Sequence, residues 1–106
     1  MNAVDTNVLI YTRDPRDPIK QKLAVSLLSS MTDPVLLWQV ACEYIAASRK
    51  LEKLGYDRTQ AIADVEDMRE AWETILPTWN VMDRAAQLLK SYQLSFWDAM
   101  IIAACL

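Results

Sequence analysis

The chain has 106 residues, 53% of them apolar, with 11 basic and 14 acidic side chains and a formal charge of −3. That suffices for one domain burying about two-thirds of its unfolded surface, and it excludes a disordered chain. There is no histidine, one glycine (Gly55) and two separated cysteines, Cys42 and Cys105. Histidine triads, histidine-containing zinc sites, glycine-rich phosphate loops and the GxSxG elbow are therefore excluded, and carboxylates are left to carry any chemistry. The acidic balance argues against a broadly basic surface for nucleic acid, although local basic clusters remain able to hold phosphate. Two cysteines without CxxC pairing read as reduced core residues of a cytosolic protein. No basic region precedes an apolar run at the start, and the longest apolar run, Ala99 to Leu106, is far short of the ~20 residues that cross a bilayer.

Ala3-Val4-Asp5 reads as a short buried strand ending at Asp5, after which Thr6 to Tyr11 turns into a helix or tight loop. Asp17 suits an N-cap and Pro18 the first position of a helix with an apolar stripe of Ile19, Leu23, Leu27 and Leu28, which stops before Asp33-Pro34. Val35 to Trp38 suits a strand buried on both faces, although a helix of that length is not excluded. From about Gln39, Val40, Tyr44, Ala47, Leu51 and Leu54 recur at helical spacing, and Gly55 follows as a C-cap. Asp57 caps a helix with Ile62, Val65, Met68, Trp72 and Ile75 on one face, charged residues including Asp64 on the other, and Pro77 at its end. Trp79 to Met82 reads as a weak strand, with Asp83 capping a helix that turns Ala85, Ala86, Leu88, Leu89 and Tyr92 inward. Ser95 to Asp98 opens a last helix that is apolar on every side and needs cover all round. Short strands alternating with helices define a layered α/β domain.

The charges are unevenly spread. Segments 1–12, 34–48 and 91–106 contain just three, all acids: Asp5, Glu43 and Asp98. Asp5 falls at the carboxyl end of a strand, where open parallel sheets collect ligands; Glu43 lies about one turn into the helix after the second strand, and Asp98 in the first turn of the last helix. Three carboxylates in one cleft repel one another unless a cation sits among them, and hard oxygen donors suit Mg²⁺ or Mn²⁺. Each acid also has a plainer reading. Asp98 lies three residues after Ser95, as in a capping box; Glu43 is placed to pair with Arg49 or Lys50 or to face solvent; Thr6 and Asn7 are turn formers.

Asp5-Thr6-Asn7-Val8-Leu9-Ile10-Tyr11 resembles the opening motif of PIN-domain proteins, and Ser95-Phe96-Trp97-Asp98-Ala99-Met100-Ile101-Ile102-Ala103-Ala104 resembles their later helix with its embedded aspartate. Glu43-Tyr44, on a helix ending Arg49-Lys50, matches the family's internal acid. The resemblance spans residues 1–106 as one PIN-like domain and is closest to the toxin half of VapBC type II toxin–antitoxin systems. It implies a three-layer α/β fold, a short parallel sheet flanked by helices, and a divalent-metal-dependent endoribonuclease that hydrolyses RNA. Asp5, Glu43 and Asp98 would hold Mg²⁺ or Mn²⁺ and position the attacking water, with Thr6, Asn7 and Ser95 as supporting polar groups. Arg49 and Lys50, or Lys20 and Lys22, are candidates for the RNA backbone, their alternative being solvated helix faces. The implied partners are RNA, a cognate antitoxin and a second copy of the chain. Family members usually continue into a further strand with a fourth acidic or polar residue, so the last strands of the family's sheet are expected to be missing and strand 1 to be an edge. The alternative is a catalytically inactive PIN-derived interaction module that dimerises or binds an antitoxin-like partner.

Overall fold

In the computed structural model, which describes residues 2–106, the strands β1 (Asn2–Ala3), β2 (Pro34–Leu37) and β3 (Glu73–Ile75) form one parallel sheet in the order β1-β2-β3. Ala3 lies opposite Val35, and Leu37 opposite Ile75. Helices α1 (Thr6–Tyr11) and α2 (Pro18–Ser30) connect β1 to β2; α3 (Trp38–Ala47), a 3₁₀ segment (Ser48–Leu54) and α4 (Arg58–Ala71) connect β2 to β3. Two further helices follow, α5 (Trp79–Ser91) and α6 (Phe96–Ala104). The fold is the expected α/β arrangement, with β1 at an edge of the described sheet. Val35, Leu36 and Leu37 are at most 2% exposed, because parallel crossovers cover both faces of the middle strand.

Local signals set most boundaries. The Asp17 carboxylate accepts the Lys20 N–H ahead of Pro18, and Asp57 and Gln60 form a reciprocal capping box at α4. Gly55 closes the 3₁₀ segment at φ +90°, a left-handed conformation that side chains with a Cβ resist.

Tertiary packing overrides periodicity in five places. β1 stops at Ala3, and Asp5 is the N-cap of α1 rather than the last strand residue. On α2 the stripe Ile19, Leu23 and Leu27 faces outward, and the helix packs through Ala24 and Leu28. α4 ends at Ala71; Glu73 to Ile75 leave the helical pattern to pair with the open side of β2, which rewards the β-branched Thr74 and Ile75. Thr78, not Asp83, caps α5 by accepting the Val81 N–H, so Trp79 to Met82 are helical and Ala86, Leu89 and Tyr92 lie exposed. α6 is covered on one side only: Ala99, Met100 and Ala103 are buried, whereas Ile102 and Leu106 are exposed.

There are two cores. The larger surrounds β2; the smaller joins Val81 and Ala85 of α5 to Ala99, Met100 and Ala103 of α6. Ile101 and Ala104 pack the helical hairpin onto the larger core. The radius of gyration is 14.5 Å, above the ~13 Å of a compact chain of this size, because the hairpin projects from the sheet layers.

A polar node holds the larger core. Arg13 binds both carboxylate oxygens of Asp64 at 2.9 Å, and Tyr44 donates to Asp64 Oδ2 at 3.1 Å. The Tyr56 hydroxyl also donates to Asp64 Oδ2 and accepts from the Tyr44 hydroxyl, whose single proton is shared between that oxygen and Asp64, while Arg13 stacks over the Tyr56 ring. Asp64 is thus not on the solvated face of α4. Burial, then hydrogen bonding to Asp64 and Tyr44, pushes the Tyr56 hydroxyl far above the usual phenol range; burial also raises Tyr44. Burial pulls Arg13 down, but its hydrogen bond to and the charge of Asp64 outweigh this. Both phenols are held neutral in the fold, so their contribution is complete below about pH 10 and is lost as pH rises above it. Denaturant titrations at about pH 8 and about pH 11 should show a loss of stability at the higher pH that is smaller in Tyr56→Phe. Asp64→Ala, which leaves the hydroxyls of Tyr44 and Tyr56 short of an acceptor, should cost about 1–3 kcal/mol at the lower pH.

Candidate carboxylate site

β1 and β2 both deliver their carboxyl ends to one edge of the sheet, and the first helix after each strand begins there. Asp5 caps α1, accepting the Thr6 N–H at 2.7 Å, and its side chain is otherwise exposed. α3 follows β2 without a loop, so its N-terminal half is fixed directly by the central strand. This half carries Gln39 and Glu43, one turn apart and therefore on one face.

The half-buried Glu43 carboxylate is held on both oxygens. Buried Thr6 donates its hydroxyl to Oε2 at 3.0 Å, and Gln39 Nε2 donates to Oε1 at 2.7 Å. Gln39 Nε2 also reaches the Trp97 carbonyl at 3.1 Å, so the same amide joins α3 to the first turn of α6. A continuous hydrogen-bonded chain thereby runs from Asp5 through Thr6, Glu43 and Gln39 to the residue before Asp98. Glu43 neither pairs with Arg49 or Lys50 nor simply faces solvent.

At α6 the Ser95 hydroxyl accepts the Asp98 N–H at 3.1 Å, which is half of the expected capping box. The reciprocal bond to the Asp98 carboxylate is not formed, and that exposed carboxylate has no hydrogen-bond or ion-pair partner among the described residues. The donor chemistry of Asp5, Glu43 and Asp98 fits a hard divalent cation in kind, since carboxylate oxygens are what Mg²⁺ and Mn²⁺ take. They are linked rather than clustered: among the described residues no group of three or more acids, cysteines or histidines is gathered closely enough to hold a metal ion.

The remaining candidates lie apart from this chain of bonds. Asn7 is exposed on α1. Arg49 and Lys50 are exposed on the 3₁₀ segment and border a shallow recess with Ala46. Lys20 sits 5.1 Å over the Tyr11 ring and Lys22 is exposed on α2. Sequence reasoning missed Gln39, whose position four residues before Glu43 on a helix was the available signal.

The PIN domain family profile matches residues 3–106, and the chain belongs to this family. PIN domains are generally nucleases and typically use divalent metal ions, so membership gives the chain a nuclease-type, hydrolytic role with RNA as the class of partner it suggests. A comparison with curated proteins gave no match. Among the described residues no helix is long and apolar enough to cross a membrane.

The hydrogen bonds that orient Glu43 have a measurable weight. Thr6→Val or Gln39→Leu, each removing one donor from the Glu43 carboxylate, should lower stability in a denaturant titration by about 0.5–1.5 kcal/mol while circular dichroism stays unchanged.

Proposed function

We propose that the chain is a divalent-metal-dependent endoribonuclease and the toxin of a toxin–antitoxin pair acting in the cytoplasm. The observation that carries the reading is the hydrogen-bonded chain from Asp5 to Trp97, which links the three segments whose only charges are Asp5, Glu43 and Asp98. Asp5, Glu43 and Asp98 would hold Mg²⁺ or Mn²⁺, which when bound supplies Lewis acidity toward the phosphodiester. Thr6 and Gln39 fix the Glu43 carboxylate by donating to each of its oxygens, so it needs no reorganisation as charge develops. The exposed Asp5 carboxylate orients the attacking water and accepts its proton. The water oxygen bonds to phosphorus as the P–O ester bond breaks, and the departing oxygen takes up a proton from solvent. Arg49 and Lys50 neutralise the adjoining backbone.

A protein partner is supported by a second observation. Ile19 and Leu23 on α2 are 74% and 64% exposed, and Leu27, one turn further along the same face, extends this apolar surface. An antitoxin segment with apolar residues at helical spacing is the occupant we assign to it; a homodimer is the further assembly the reading includes. The loose placement of the three acids favours one rival, an inactive interaction module of the same fold.

Purified protein should cleave RNA in Mn²⁺ or Mg²⁺ and stop in chelator. Asp5→Asn and Glu43→Gln should each lower the rate by about 100-fold or more. Metal-independent cleavage, or unchanged rates in both variants, overturns the proposal, as does a stable dimer that neither cleaves RNA nor is stabilised by metal, which is the outcome the interaction module requires.

A further inference from the structure

Beside Glu43, α3 opens onto a groove of about 370 Å³ lined by Trp38, Gln39, Cys42, Glu43, Ala46 and Trp97. Trp38 and Trp97 are 49% and 59% exposed, a large amount of aromatic surface to leave in water. Phe96 packs edge-on against Trp97, its neighbour on α6, at 5.1 Å between ring centroids, and the Gln39 bond to the Trp97 carbonyl ties α6 to α3 at this point. At its far end the groove shares Ala46 with the recess formed by Arg49 and Lys50, two exposed cations without an ion-pair partner among the described residues. An aromatic groove that includes the Glu43 carboxylate on α3 is therefore followed by a cation pair on the 3₁₀ segment that continues the helix.

We infer that this groove is a nucleobase subsite that takes one unstacked base of single-stranded RNA against Trp38 and Trp97, with the neighbouring phosphate at Arg49 and Lys50. The inference rests on the nuclease reading of the adjoining carboxylates. Charge complementarity selects the occupant: an apolar peptide would fill the walls but leave the cation pair unanswered, in a chain whose formal charge is −3. A base presents an apolar face to the indoles while its phosphate meets the cations. The bases of a duplex are stacked and paired, so the groove selects looped or unpaired RNA. Stacking tolerates any base, so the groove holds an unpaired base without reading its identity.

A short fluorescein-labelled 2′-O-methyl RNA, which resists cleavage, is titrated by anisotropy against the protein in chelator. Trp97→Ala and Trp38→Ala should each bind about 5- to 100-fold more weakly than the parent. Ala46→Trp, at an exposed position where a larger side chain fills the groove without opening the core, should do the same with an unchanged circular dichroism spectrum. An abasic nucleotide at one position of the RNA should weaken binding to the parent and have no added effect in Trp97→Ala. Unchanged binding by the variants overturns the inference, as does failure of the parent to bind the RNA. Loss of self-association in Trp97→Ala with RNA binding intact also overturns it, making the groove a protein interface. A parent that binds RNA through the groove yet cuts none with Mn²⁺ overturns the nuclease reading alone; a parent that cuts while its groove variants bind normally overturns the subsite alone.

Discussion

The Asp64 carboxylate is the point on which the larger layer of the fold depends. It accepts from Arg13 after α1, Tyr44 on α3, and Tyr56 beyond the left-handed turn at Gly55. These groups are distant in sequence, and each satisfies the others, so the node stabilises the packing only when all are in place. Its consequence for the site is geometric. Tyr44 fixes the rotation of α3 about its own axis, and consecutive helical residues diverge by about 100°. With Tyr44 turned toward Asp64, Glu43 is turned toward α1, where Thr6 meets it. A hydroxyl that serves the Asp64 node and a carboxylate held by Thr6 thus sit on adjacent residues and share one constraint.

The sheet was legible where local signals and burial agreed. Pro34 to Leu37 is apolar throughout because it is covered on both faces, and Asp17-Pro18, Asp57 and Ser95 announced their helices through side chains that satisfy free N–H groups. Glu73 to Ile75 was not legible, since three residues in phase with the preceding helix become a strand only because β2 offers an unpaired side. The outward turn of Ile19 and Leu23 has a related cause. Periodicity reports an apolar face but does not say whether the covering surface belongs to the same chain, and α2 has Ala24 and Leu28 inside instead.

The site was legible as a set of residues and not as an arrangement. Isolation of Asp5, Glu43 and Asp98 in apolar segments singles them out, but only half-buried Glu43 is held by side-chain donors, Thr6 and Gln39, while Asp5 and Asp98 face water. The bridging amide of Gln39 was invisible because glutamine is ordinary on helix surfaces. Its importance comes from a carbonyl brought near by tertiary contact. The aromatic surface of Trp38 and Trp97 was likewise hidden, for a tryptophan at the start of a helix is as readily core as surface until its neighbours are known.

The separation of the two cores has a bearing on how the molecule opens. Regions with few contacts to the rest detach as cooperative units at a free energy below that of global unfolding. The α5–α6 pair has its own small core and joins the sheet layers mainly through Ile101, Ala104 and the Gln39 bond to Trp97. Detachment of that pair would leave Glu43 and Thr6 bonded to each other but carry away Asp98 and one wall of the aromatic groove. The completeness of the site is therefore set by the docking of the least anchored part of the fold, and a partner that grips the hairpin would act on the site without touching a carboxylate.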